Sequence, residues 1–341
     1  MKPSTFVTLA AATGIAVAAA VAAATLEVDN TAATAGEPFL PKIAGGMNEV
    51  ASITIQSNTA TTSVRRDGDN WVLTGDLDGY PASPLEIRDL LVGLGDIRRL
   101  EPKTALPDRF VKLQVNDVTE KDALGERVTV KNASGEIMAD LIVGKAWFGN
   151  VGLDKTGRYV RAMDEDRAWL VVGDLAAGAR VRDVVNAKIV PVVREEDIRR
   201  VTVSHPDGEE VIVERDMPTK RFVLVDKPAD REFRTPTTTA SFAKALQDMT
   251  LENILPASAA PIDDDKAVLM VAETFTGETI FLRIQADGER YFVAVESLHK
   301  AGRDADETVG LKRGDWRYLV PKWRYDDLTK RMEDMLVKPA S

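Results

Sequence analysis

The sequence predicts an α+β protein: an N-terminal transmembrane helix, then two tandem, related, mostly antiparallel sheet domains, each carrying a helix. Three observations predict it. An uncharged run of spanning length stands near the N-terminus, strand-like alternation broken by Asp, Gly and Pro turns fills the remainder, and one order of strands and helix is written twice.

Composition sets the frame. At 341 residues the chain exceeds the usual single-domain range. With 44% hydrophobic and 29% charged residues it can bury a real core. A net charge of −10 argues against a nucleic-acid partner, which would require a basic face to neutralise phosphates. The absence of cysteine excludes disulfides, thiolate metal sites and thiol catalysis.

Residues 1–5 are short, polar and carry Lys2. Residues 6–26 then run for 21 positions without a charged side chain, close to the roughly 20 that cross about 30 Å of hydrocarbon as a helix. Positive charge ahead of the run, with Glu27 and Asp29 behind it, places residues 1–5 in the cytoplasm and the bulk outside. Ala22-Ala23-Ala24 also offers the small residues of a signal-peptidase site, so a cleaved export signal is the rival reading. The run exceeds the usual apolar core of about 7–15 residues in such signals, which favours a retained, single-pass anchor. Residues 27–46 are small, polar and proline-containing, and read as a linker.

The first repeat is assigned to 47–190 and the second to 191–341. Ile53-Thr54-Ile55, Val64-Arg65-Arg66, an Asp67-Gly68-Asp69-Asn70 turn and Trp71-Val72-Leu73 open the first. Val201-Thr202-Val203, Val211-Ile212-Val213, a turn over 216–219 and Phe222-Val223-Leu224 open the second. Each then has a helix. Leu85, Ile87, Leu90, Leu91 and Leu94 follow Pro84 at helical spacing, and Phe242, Leu246 and Met249 follow a Thr/Ser-rich start at 237–241 that could cap one. Val128-Thr129-Val130 and Leu141-Ile142-Val143 answer 268–271 and Ile280-Phe281-Leu282. Tyr159-Val160 answers Tyr291-Phe292-Val293, and the strand at Trp169 answers the strand at Trp316. Equivalent points lie 132–151 residues apart, as loop insertions into a tandem duplication would make them. Pro191 and the acidic Glu195-Glu196-Asp197 mark the boundary, near 187–196. Residues 325–337 alternate charge with Leu328, Met332, Met335 and Leu336, which predicts a C-terminal amphipathic helix.

Four features together resemble a known pattern: the span at 6–26, the strand–turn–Trp segment 65–73, the helix followed by Leu141-Ile142-Val143-Gly144, and the Tyr159/Trp169 strand pair ending in Val181-Arg182-Asp183. Over most of 50–335 the chain resembles the bacterial envelope family catalogued as domain of unknown function 4340. Members often accompany ABC-transporter subunits, including gliding-motility-type systems. The resemblance therefore implies an auxiliary envelope subunit whose partners are inner-membrane or envelope proteins, an ABC permease and ATPase among them. It brings no established catalytic residues to carry over.

Candidate chemistry is thin. His205 and His299 are the only histidines, too few for a zinc site without cysteine. His205 lies in Ser204-His205-Pro206-Asp207-Gly208, whose Pro-Asp-Gly reads as a turn rather than a relay. His299 falls in a polar stretch that reads as solvated. Asp67-Gly68-Asp69-Asn70 and Asp76-Leu77-Asp78-Gly79 each match part of a calcium loop but not its twelve-residue pattern with a terminal glutamate, Asp263-Asp264-Asp265 offers at most weak divalent-ion binding, and all three read as surface turns. Gly144, Gly149 and Gly152 lie between strands, not at a phosphate-binding strand-to-helix turn. Arg313-Gly314-Asp315 reads as coincidence. Trp71, Trp169, Trp316, Trp323, Tyr159 and Tyr291 recur at strand positions and read as core, with a partner surface as the other use. The expectation is a non-catalytic, membrane-anchored periplasmic scaffold with no catalytic, cofactor-binding or metal-binding residues. The alternative is a secreted or periplasmic ligand-binding protein, or a hydrolase whose carboxylates converge only in the fold.

Overall fold

The computed structural model describes residues 35–149, 156–190, 193–300, 303–304 and 313–337. The predicted span at 6–26 lies outside the described residues, as does Gly152. Among the described residues no helix is long and apolar enough to cross a membrane. The chain divides into two compact units: one reaches Asp69 and resumes over Pro84–Ala179, and the other takes Asn70–Ser83 and Arg180–Ser341.

Unit 1 opens with α1 (Pro41–Gly46), then β1 (Val50–Gln56) and β2 (Thr61–Asp67). After β3 (Asn70–Leu73), which belongs to unit 2, come α2 (Pro84–Asp96), β4 (Arg98–Pro102) and α3 (Phe110–Leu113). The unit closes with β5 (Glu126–Asn132), β6 (Ile137–Trp147), β7 (Gly157–Ala162) and β8 (Trp169–Val172). Its antiparallel sheet runs β2-β1-β5-β6-β7-β8-β4. Alternation does what it predicts: Ile53, Ile55, Val128 and Val130 are buried, while Thr54 meets Ser63 across the other face at 2.9 Å. Leu141, Ile142 and Val143 are buried consecutively. Ile142 reaches a separate cluster with Phe110, Val115, Val118, Tyr159, Ala168 and Leu170, so β6 is covered on both faces. That close cover requires Gly125 and Gly144, where a Cβ would collide with the carbonyl oxygens of Gln114 and Leu113.

Two expectations are corrected here. The composition of 27–46 predicts a linker, but Gly36 N–H donates to Arg99 O at 2.7 Å, Phe39 N–H donates to Ile97 O at 2.9 Å, and Ile43 of α1 is wholly buried. The apolar contact of Ile43, not any periodicity in Pro-Lys-Ile-Ala-Gly-Gly, makes this stretch part of the fold. On α2, Ile87, Leu90, Leu91 and Leu94 face inward as predicted, whereas Leu85 is 54% exposed.

Unit 2 contains β9 (Ile198–Ser204), β10 (Glu210–Arg215), β11 (Phe222–Leu224), α4 (Ser241–Gln247) and β12 (Asn253–Pro256). There follow β13 (Val268–Thr274), β14 (Thr279–Asp287), β15 (Arg290–Lys300), β16 (Arg303–Asp304) and β17 (Trp316–Leu319). Two short helices end it: α5 (Lys322–Leu328) and α6 (Met332–Met335). The sheet order β11-β10-β9-β13-β14-β15-β17-β12, with β16 on β15, repeats the order of unit 1 strand for strand from β10 to β12. The registers agree in detail. Trp169 stands opposite Pro102 in one sheet and Trp316 opposite Pro256 in the other. The backbone pairing of residues 36–39 with 97–99 is matched by Leu251 N–H to Ala187 O at 2.9 Å and Ile189 N–H to Met249 O at 3.0 Å.

The segment 70–83 adds a hairpin to unit 2. Leu73 N–H donates to Tyr80 O, Ala82 N–H to Trp71 O and Ser83 N–H to Val184 O, each at 2.8 Å. The buried Tyr80 ring meets Trp316 edge-on at 5.2 Å. Burial, with Tyr318 alongside, pushes the Tyr80 hydroxyl above the usual phenol range. Phe242, Leu246 and Met249 are buried as predicted, but no side chain caps α4; Thr239 instead donates to Phe222 O at 2.7 Å. The helix predicted over 325–337 is broken at 329–331, because Arg331 takes extended backbone and turns to partners on another loop.

Candidate functional site

The strongest candidate lies in unit 2, where the β9–β10 turn meets the C-terminal segment. The turn forms as the sequence predicts: His205 N–H donates to Glu209 O at 2.8 Å, Gly208 N–H donates to His205 O at 3.0 Å, and Gly208 takes φ +93°. His205 is only 7% exposed, and its Nε2 finds no hydrogen-bond partner among the described residues. Burial, then the nearby Arg331 charge, hold its imidazole below the ordinary value, against the pull of Glu209, the Lys330 backbone and Asp207.

Arg331 fastens the C-terminal segment to that turn. Its guanidinium pairs with Asp207 at 2.8 Å and also with Glu209, whose second oxygen accepts the Met332 N–H at 3.0 Å. Asp334 accepts the Arg331 N–H at 2.9 Å and caps α6. The side-chain hydrogen bond from Arg331 holds the Asp207 carboxyl below the usual range. Beside these groups lies an open cleft of about 390 Å³, which Lys266, Tyr325 and Thr329 also line. Its charges are already engaged: Lys266 pairs with Asp263 at 2.6 Å, and Arg331 is held by two carboxylates. What remains is a concave, charge-balanced surface around a buried histidine.

The other predicted candidates do not converge on it. Ser204 donates to Glu210 at 3.0 Å, so Ser204, His205 and Asp207 form no relay. Asp264 pairs with Arg283, away from Asp263 and its partner Lys266. Asp67 lies 3.9 Å from Arg65, and Asp76 sits in a short 3₁₀ turn over Gly75–Leu77. No group of three or more His, Asp or Glu that could hold a metal ion occurs among the described residues. Arg313 donates to Ile189 O at 3.0 Å, which uses the first residue of the Arg-Gly-Asp triplet internally. The backbone of His299 pairs with Thr279 and Asp304 in the sheet.

Among the aromatics, Trp71 and Tyr159 are buried. Trp169 donates to Glu165 at 2.7 Å, Tyr291 meets Tyr325 at 4.9 Å, and Trp323 is 58% exposed. Sequence pattern alone does not single out Arg331 or Glu209. A weak signal existed: Arg180-x-x-Asp183, Arg194-x-x-Asp197 and Arg331-x-x-Asp334 form the same capping box. The pairing of Arg331 across 122 residues has no local signature.

Comparison with known proteins adds one finding. The family model described as "Domain of unknown function (DUF4340)" matches residues 71–268, more than half of the chain. No curated protein and no solved structure matches it.

Proposed function

The chain belongs to the DUF4340 family, and we propose that it is a non-catalytic envelope protein anchored in the inner membrane by residues 6–26. The N-terminus lies in the cytoplasm and both sheet units in the periplasm, where the protein serves as an auxiliary, scaffolding subunit of an ABC-type transport or gliding-type complex. One observation carries the reading: 21 uncharged residues of spanning length, led by Lys2 and followed by Glu27 and Asp29. Only residues 27–35 separate that run from the backbone pairing that begins unit 1 at Gly36. Beside the cleft, the carboxylates Asp207 and Glu209 are engaged with Arg331, which supports a binding role over a chemical one there.

The test is purification of the tagged full-length protein from native membranes in mild detergent, followed by mass spectrometry. Near-stoichiometric recovery of a multi-span permease and an ATPase is the expected result. Recovery of the protein alone, with a mass that begins after Ala24, would overturn it. The His205 cleft favours a second reading, a periplasmic small-molecule binder, for which native mass spectrometry would show a retained ligand.

A further inference from the structure

We infer that the β9–β10 turn and the C-terminal segment 329–337 form an acid-sensitive latch, closed while His205 is neutral and loosened when its imidazole takes a proton. His205 is 7% exposed, and its Nε2 has no acceptor within reach among the described residues, so an imidazolium would carry an N–H with no partner.

Every element around it contributes charge or a titratable group. Asp207 and Glu209 come from its own turn, Arg331 and Asp334 from the C-terminal segment together with the Lys330 backbone, Tyr325 from α5, and Lys266 from the approach to β13. The fastening is Arg331, bridged to Asp207 at 2.8 Å and to Glu209. A proton on His205 would set a second cation beside that guanidinium and out of water. Asp207 is held ionised below the usual carboxyl range, so it keeps its charge while His205 changes its own.

The sign follows from linkage. The closed latch binds the proton less readily than a chain in which His205 is free, whose ordinary value is 6.5. A base with a lowered folded value contributes stability in its neutral form, present above that ordinary value and lost as pH falls beneath it. Opening therefore gains up to about tenfold per pH unit, until the closed form itself takes the proton. Residues 329–337 are the element to move, because Arg331 and the Met332 N–H fasten them to the turn, while Met335 O and the Val337 N–H pair with Arg234 and Glu232 on another loop.

The test is hydrogen exchange of the full-length chain at about pH 7 and about pH 5.5, corrected for intrinsic rates and read by mass spectrometry. In the wild type, opening of 329–337 rises on acidification, by up to about tenfold, while unit 1 peptides stay level. In His205→Gln the segment shows no such rise. An NMR titration of His205 in the wild type, expected to give a midpoint below 6.5, keeps the test independent of how well the variant folds. An equal rise in His205→Gln, a uniform rise throughout unit 2, or a midpoint at or above 6.5 would each overturn the latch.

Discussion

Arg99 is held from several sides at once. Its guanidinium lies 4.7 Å from the Phe39 ring centre and 4.4 Å from that of Trp169, and it donates to Glu165 at 3.2 Å through Nη1. Glu165 also accepts the Trp169 indole N–H at 2.7 Å. Burial pushes the Glu165 carboxyl up, but the Arg99 hydrogen bond and charge, with the indole N–H, bring it net below its ordinary value of 4.5. A carboxylate lowered in this way contributes stability that is complete above that ordinary value and lost as pH falls through the folded one. Glu165→Gln would leave the guanidinium, 16% exposed, without its counter-charge. The expected loss is about 1–3 kcal/mol at neutral pH. Urea unfolding over a pH series checks it, and the gap between wild type and variant should close below about pH 4.5. A gap that stays constant across the series would show that Glu165 acts by shape alone.

At the scale of elements, α1 separates what local pattern predicts from what packing decides. Ile43 is wholly buried in a six-residue helix that ends in two glycines. If that burial holds the start of unit 1 in place, Ile43→Ala costs about 2–5 kcal/mol in chemical denaturation, the range of a large-to-small change in a core. A linker residue would change stability by at most about 0.5 kcal/mol. The strands were legible because period-two alternation is local: Ile53-Thr54-Ile55 and Val128-Thr129-Val130 each sort their side chains to two faces without reference to the rest of the chain. The duplication was legible for the same reason, since Trp169 and Trp316 hold equivalent registers opposite Pro102 and Pro256. The break in the C-terminal helix was not. Leu328, Met332 and Met335 keep helical spacing, but the two carboxylates that hold Arg331 stand on a turn far away in sequence. The candidate site was half legible on the same account. The His205 turn is written in Pro-Asp-Gly, while the burial of His205 and its Arg331 neighbour are tertiary facts.

At the scale of the whole molecule, the repeats of the sequence and the compact units of the fold do not share one boundary. The chain leaves unit 1 at Asp69, gives Asn70–Ser83 to unit 2, returns at Pro84 and leaves again after Ala179. A single cut between the repeats, near 187–196, therefore strands a hairpin of unit 2 in the wrong piece. That hairpin carries Tyr80, 5% exposed and set edge-on to Trp316, and Ser83, which bonds to Val184. Losing a buried aromatic side chain alone costs about 3–5 kcal/mol, against a typical domain stability of about 5–15 kcal/mol. A fragment spanning 180–341 should therefore melt broadly and expose apolar surface. A single chain with 70–83 joined by a flexible linker ahead of 180 should regain a cooperative transition at a higher temperature. Circular dichroism melts of the two fragments decide the matter. Equal midpoints and equal sharpness would mean that the hairpin only rests on unit 2. A restored transition that is lost again in Tyr80→Ala would assign the effect to that ring, because the joined segment would still supply its backbone pairing without it.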